Sequence, residues 1–445
     1  MLPEFINAAP VYQHAILKGF KRLFDTPKAQ QPPIDWDQTW PALMDFFEKL
    51  LENPDLGKKA EGRAPFNWLP PAMADLLHAG TRDDDRAYSP SLLSRGWAIL
   101  ETLAERVVPG QAADERDPMT AAINTGKGRT LEAIFSHALR EARLADKDSG
   151  NHDAVWQRLQ PRFDLELEKC KSGNYEFSTL VGAYLANLEY LNTDWLRASI
   201  PRIFPSEQPT NLSAALSGLA YSAATRRSYV MLRDAGVVDS ALRIEAKGRD
   251  TRKMVVERIV LAYLWDETLD SPRISYLFRN GLVDDLQAAA WFFWTARGDK
   301  LTPEQRAKVV AFWDRCIAWA QGQATAPDKL LGTLATLAWS LDDAQGRNGE
   351  LLLAVAPHAN INHGLHEFLE ELLRLADASP TTVALAVGAM IKTYSQMYDY
   401  KGVLKSLLAR LAQLGQRADV LKYCDQLRQV DGIAELFTRL RSEVQ

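Results

Sequence analysis

The chain lacks the residue patterns that mark disulfide-bonded proteins and membrane proteins. Its 445 residues include only three cysteines, Cys170, Cys316 and Cys424, which lie far apart and form no C-x-x-C pair. This spacing indicates neither a disulfide framework nor a zinc knuckle, and it predicts a protein of the reducing cytoplasm. Its longest apolar stretches, such as 288–293, are far shorter than the roughly 20 residues that span a bilayer. We therefore expect no membrane segment.

The sequence also lacks an excess of positive charge. Its 52 lysines and arginines face 57 acidic residues, for a formal net charge of -5. This balance excludes the global basic field that holds nucleic acid or anionic lipid. A locally basic stretch remains within 226–258, and it leaves nucleic-acid binding as an alternative. We rank that alternative below protein binding because acidic residues interrupt the stretch, whose cations are Arg226, Arg227, Arg249, Arg252, Lys253 and Arg258.

Apolar residues recur at helical spacing almost from end to end. The pattern is clear from Leu131 to Ala142, again from Leu404 to Leu414, and after Thr302, where a capping threonine precedes Pro303. No run of strictly alternating apolar and polar residues suggests a strand. The sequence thus predicts an all-α fold with essentially no sheet.

Prolines and glycines interrupt the helical pattern at short, irregular intervals. Such punctuation is typical of an α-solenoid, and we expect HEAT-like helical pairs of roughly 40 to 47 residues each. The polar segment 205–211 predicts a soft division of the array into residues 1–205 and 206–445. One continuous solenoid is the alternative.

The segment 124–130 has some features of a phosphate-binding loop. Glycines flank Lys127, yet the first glycine of G-x-x-x-x-G-K-[ST] is missing and no strand precedes the segment. We expect a helix entry in which Gly126 and Gly128 lie where a Cβ would clash or φ must be positive. The residues expected to be buried between adjacent helical pairs are Ile123, Leu131 and Ile134. Lys127 or Arg129 should be solvated or contact a neighbouring helix end, and these two cations are the candidates for partner contact. We predict no cofactor.

His358, His363 and His366 have a spacing that could place two imidazoles on one helical face. His363 and His366 are therefore candidate metal ligands for a hydrolytic enzyme, although the sequence supplies no further ligand nearby. Nucleophilic catalysis needs a base near the nucleophile, and the sequence places none of the three cysteines beside a histidine, so we expect a protein that is not an enzyme. The run 83–85 of three aspartates lacks the other residues of a calcium loop and predicts a solvated loop or a helix cap.

The tryptophans at helical spacing should pack in the core, among them Trp291, Trp294, Trp313, Trp319 and Trp339.

Three segments carry a family resemblance. The block 117–133, DPMTAAINTGKGRTLEA, is similar to a recurring D-P-x-T-x-A-I-N-x-x-x-G-x-x-L-E-A pattern. The others are 33–36, PIDW, and 194–205, which begins DWLRA and ends PRIFP. Together they resemble the C-terminal helical regions of large bacterial STAND or NLR-like NTPases, many of which act in anti-phage defence. The resemblance covers about residues 32–236.

The resemblance implies a helical sensor that recognises a foreign protein and triggers assembly of an effector. This chain has no Walker motif, so the resemblance implies the sensing part alone, either cut from a longer protein or encoded separately. A helix at 11–24 with no polar cap ahead of it favours the cut. We expect a protein partner, either a phage component or an ATPase or effector subunit.

Overall fold

The computed structural model of the chain describes residues 2–30, 34–56, 68–82, 84, 86–110, 116–244, 251–298, 301–361 and 364–442. These residues form helices joined by turns, and none of them lies in a β-strand. The predicted all-α fold without sheet is confirmed for this part of the chain. Within the same ranges, no helix has the length and apolar character needed to cross a membrane.

The chain divides into two compact units, Met1–Val255 and Val256–Gln445. The predicted soft boundary at 205 and 206 lies inside the first of them. The first unit contains α1 Pro10–Asp25, α2 Trp36–Leu51, α3 Leu69–Arg82, α4 Leu93–Arg106, α5 Pro118–Asn124, α6 Gly126–Ser149, α7 Asp153–Lys169, α8 Tyr175–Ala183, α9 Leu185–Leu191, α10 Thr193–Ile203, α11 Pro209–Leu219, α12 Arg226–Asp234 and α13 Val237–Arg243. Helix α14, Thr251–Trp265, spans the division. The second unit continues with α15 Pro272–Arg279, α16 Val283–Ala296, α17 Pro303–Gln321, α18 Asp328–Ala335, α19 Gly346–Val355, α20 Leu365–Leu375, α21 Pro380–Ile391, α22 Val403–Leu411, α23 Arg417–Gln426 and α24 Ile433–Ser442.

Local sequence signals explain several helix ends. Thr302 and Gln305 form a capping box at the start of α17, with Pro303 in the first helical position, as the sequence predicts. The helix predicted to reach Leu414 ends earlier, at Leu411. The reason is Gly415, whose φ of 89° lies in the left-handed region and interrupts the helix before α23.

In the first unit, α6 packs against α3, α4, α7 and α8, and α8 crosses α11 at very short range. Glycines on both helices permit this crossing. A Cβ on Gly218 would lie 1.7 Å from the carbonyl oxygen of Thr179, and a Cβ on Gly182 would lie 2.1 Å from that of Ala215. Because backbone atoms stand in the way, no side chain fits at either position without separating the helices.

Gly218→Ala is therefore expected to lower the free energy of unfolding by about 1 to 3 kcal/mol, the cost of overpacking a filled core. Gly19→Ala is the matched control, because Gly19 lies in α1 and a Cβ there would meet nothing within 4 Å. The control should be neutral or stabilising by roughly 0.5 to 1 kcal/mol, since alanine favours helix more than glycine does. Urea denaturation of the two variants makes the comparison, and equal midpoints would contradict the crossing.

In the second unit, helices pack on their next-but-one neighbours. Helix α19 contacts α21, which contacts α23, while α20 contacts α22, which contacts α24. Ion pairs link the successive layers at a regular spacing: Arg347 to Asp314 and Arg410 to Asp377 each join residues 33 positions apart. This spacing is shorter than the predicted 40 to 47 residues, because the helices and the turns between them are short.

Candidate functional site

Lys127 is a buried residue and not a solvated one. Its side chain is 2% exposed, and its ammonium group lies 2.9 Å from the Glu166 carboxylate. Its Nζ also donates a hydrogen bond to the Ala104 carbonyl oxygen at 3.0 Å. Burial lowers the pKa of Lys127, while the charge of Glu166 opposes that shift. Of the two expected alternatives, solvation is therefore wrong for Lys127, whereas contact with a neighbouring helix end is correct, because Ala104 lies in the last turn of α4.

Glu166 is the centre of a buried polar cluster. Besides Lys127, its carboxylate accepts from Arg162 at 3.2 Å, Lys169 at 3.3 Å and Asn174 at 2.7 Å. Such a shared carboxylate satisfies the hydrogen-bonding needs of several elements at once. Glu166 and Lys127 are almost fully enclosed, so this pair joins helices, while Lys169 at the edge of the cluster is 34% exposed.

The segment 124–130 forms a helix entry, as expected. Thr125 Oγ1 accepts from the Gly128 N–H at 2.9 Å, which occupies a donor that an anion would need. A Cβ on Gly128 would lie 1.7 Å from the Ala122 carbonyl oxygen, which confirms the predicted clash at this glycine. Arg129 is partly exposed and pairs with Asp75 at 2.6 Å. Of the two cations proposed for partner contact, only Arg129 reaches the surface.

The histidine candidates do not converge on a metal site in the described residues. His363 lies outside those residues. His366 Nε2 is 3.2 Å from Glu370, and His358 Nδ1 is 3.0 Å from Asp328. Across the described ranges, no group of three or more His, Cys, Asp or Glu residues has the geometry to hold a metal ion.

The remaining sequence candidates take structural positions. Arg258 of the basic stretch is buried, and burial lowers its pKa to about 10. Arg252 donates to the Leu242 carbonyl oxygen at 2.7 Å, and Arg249 lies outside the described residues. Of the aspartate run, only Asp84 is described, and it pairs with Arg140 at 2.7 Å. Arg252 and Arg258 are thus held within the fold, whereas Arg226 and Arg227 of the same stretch are exposed.

The tryptophans are only partly core residues. Trp313 is fully buried, as predicted, whereas four others are half-buried. Two of these, Trp291 and Trp294, stack with ring centroids 4.6 Å apart. The half-buried set is Trp291, Trp294, Trp319 and Trp339.

The clearest candidate for a binding surface is an exposed group of apolar and aromatic side chains in the second unit, which we call the loop edge. It consists of Ile361, Met397, Tyr398 and Tyr400, whose exposed fractions run from 45% to 68%. The loops that carry them follow α19 and α21. Because those two helices pack side by side, their following loops meet at the same end of the unit.

The backbone beneath the loop edge is held from both sides. Asn360 Nδ2 donates to the Thr393 carbonyl oxygen at 2.6 Å, and Thr393 Oγ1 donates to the Pro357 carbonyl oxygen at 2.7 Å. On the other side, the buried Asp399 carboxylate accepts from the backbone N–H groups of Leu404 and Lys405 at 3.0 and 2.8 Å. These bonds fix the loops while their large side chains face outward.

One ring contact and one unusual backbone conformation also shape the loop edge. The His366 ring meets the Tyr400 ring edge-on, with centroids 4.6 Å apart. Lys401 has a φ of 55°, and it is the only described residue other than glycine with a positive φ. Strained backbone of this kind concentrates at functional positions and needs surrounding structure to maintain it. Here that structure is the Asp399 cap.

Comparisons of the chain with family models, with curated proteins and with solved structures find no match. The resemblance to helical sensors therefore stays a prediction.

Proposed function

We propose that this protein is a non-enzymatic recognition module that binds another protein through the loop edge. The observation that carries the proposal is the exposure of Met397, Tyr398 and Tyr400 on backbone held by hydrogen bonds. Tyrosine and methionine are enriched at the centres of protein interfaces, where they bury large areas. Loops already ordered in the free protein lose little conformational entropy on binding.

The repeated packing of the second unit suits this role. We propose that its short helical pairs form an α-solenoid, because alternate helices stack and ion pairs recur at 33 residues. Stacked pairs bring successive loops to one end, so a partner can contact several loops together. A protein partner uses such a surface better than a small molecule does.

The family resemblance supplies the proposed biological context. We propose that the partner is a phage component, or an ATPase or effector subunit of an anti-phage system, and that the module works in the bacterial cytoplasm. The three cysteines are buried and unpaired, which suits a reducing compartment.

The test is capture of partners from phage-infected bacteria with the purified chain and with a Tyr398→Ala, Tyr400→Ala double variant. We expect the chain to retain a specific partner and the variant to lose it by about 10-fold or more, as for truncated aromatic hot spots. The variant should unfold at the same urea concentration as the parent, since both side chains are more than half exposed.

Tyr12→Ala provides the matched control. Tyr12 and Tyr398 have the same exposed fraction, 63%, but Tyr12 belongs to the first unit and is not part of the loop edge. Retention of the partner by the control and loss by the double variant would support the loop edge. Equal capture by all three proteins would refute it.

A further inference from the structure

A cavity of about 420 Å³ lies between α15 and α17 in the second unit. This volume falls within the range of about 300 to 1,000 Å³ that is typical of small-molecule sites. The cavity lies in a different part of the unit's sequence from the loop edge, and none of its lining residues belongs to the loop edge. Its lining residues are Ser275, Phe278, Arg279, Arg315, Ala318 and Trp319.

The cavity carries two positive charges and no negative one. Arg279 and Arg315 line it, and within the described part of the chain neither guanidinium pairs with a carboxylate. The contact of Arg315 is instead the ring of Phe278, with its Cζ 5.7 Å from the ring centroid. By comparison, Arg347 and Arg410 of the same unit, which are exposed like Arg279 and Arg315, each have an aspartate partner. A guanidinium with uncommitted donors matches the oxygens of a phosphate group.

Aromatic and polar groups complete the lining. The half-buried indole of Trp319 lies beside the turn at Gly281, where an added Cβ would stand 3.6 Å from the ring. An aromatic face that lines a cavity can stack on a flat heterocycle of any identity. Ser275 Oγ donates to the Leu269 carbonyl oxygen at 3.3 Å, so its lone pairs can accept from a ligand.

We propose that this cavity binds a nucleotide, with its phosphate between Arg279 and Arg315 and its base against Trp319. The two arginines without carboxylate partners supply the positive charge that a phosphate needs, and the indole supplies a face on which a flat base can stack. A larger cavity in the first unit, of about 660 Å³, lacks this combination. Its arginines include Arg197, which pairs with Asp194 at 2.8 Å, and Arg227, which lies 3.5 Å from Glu189.

Isothermal titration of the full chain with adenosine monophosphate, adenosine and inorganic phosphate tests the proposal. We expect the nucleotide to bind at least about 10-fold more tightly than either part, because each part makes only some of the contacts. Arg279→Ala and Arg315→Ala should each weaken nucleotide binding by about 10-fold or more, the effect of losing a hydrogen bond to a charged group. Trp319→Leu should weaken binding of the nucleotide but leave binding of phosphate unchanged.

Arg227→Ala is the matched control, because it removes an exposed arginine from the other cavity and should leave the affinity unchanged. All these variants are expected to keep the melting temperature of the parent, which separates lost binding from lost folding. The proposal is overturned if the nucleotide gives no binding heat, or if phosphate alone binds as tightly as the nucleotide. An affinity that is indifferent to both cavity arginines overturns it as well.

Discussion

Lys127→Ala is expected to lower the free energy of unfolding by about 3 kcal/mol, the lower end of the range for breaking a buried ion pair. The substitution leaves Glu166 enclosed with one positive partner fewer and removes the hydrogen bond to Ala104. The loss stays at the lower end because Arg162 and Asn174 continue to donate to the same carboxylate. Urea denaturation of the variant measures the change.

A double-mutant cycle separates charge from packing. Lys127→Met keeps most of the side-chain volume, and Glu166→Gln removes the negative charge. If the pair is coupled, the double variant should be more stable than the sum of the single losses implies.

Arg129→Ala is the surface comparison, and its cost should be only about 0 to 1 kcal/mol because its pair with Asp75 is partly solvated. A Lys127→Ala variant as stable as Arg129→Ala would show that the buried pair contributes nothing.

The burial of Lys127 shows why charge alone misleads. The residue lies four positions before Leu131 and seven before Ile134, so it falls on the apolar stripe of α6. The place of Lys127 on this apolar stripe therefore indicated, from the sequence alone, that the residue would be buried. Its partner, however, is 39 positions away on α7, and no local pattern identifies which distant carboxylate will meet it.

Ile123 differs from its prediction in the opposite direction, because it is more exposed than the sequence predicts. The sequence predicts its burial between helical pairs, but it is only half-buried, while its neighbour Ala122 is fully enclosed. Helix α5 has only seven residues and packs through the face that carries Pro118 and Ala122. In so short a helix, the direction of the buried face depends on the neighbouring elements, here α6 and α8.

Helix content was readable because periodicity and caps are local. The capping box at Thr302 and the stripe through Leu131 both identify their helices. The 33-residue spacing of the ion pairs in the second unit was not readable, since it depends on how each short helix packs on its next-but-one neighbour. The loop edge was missed for the same reason: Ile361 and Tyr398 belong to separate loops, which are joined only by contacts such as that of Asn360 with Thr393.

The block 117–133 therefore stabilises the fold and does not form a ligand loop. Substitution of Leu131, an apolar residue of the block, tests that conclusion. Leu131 is fully buried in α6, as the sequence predicts. Leu131→Ala should lower the free energy of unfolding by about 2 to 5 kcal/mol, through lost burial and the cavity that remains. Leu165→Ala on α7 is the control, because that side chain is exposed. Its cost should stay within about 0.5 kcal/mol.

Binding measurements on the same variants connect stability with function. If the block is structural, Leu131→Ala and Lys127→Ala should both lower stability, and at temperatures where each remains folded both should still capture the partner held by the loop edge. Their affinity then tracks the folded fraction alone. A Lys127→Ala variant that lost the partner while fully folded, alongside a Leu131→Ala variant with unchanged stability, would make the block a ligand loop and reverse the structural interpretation.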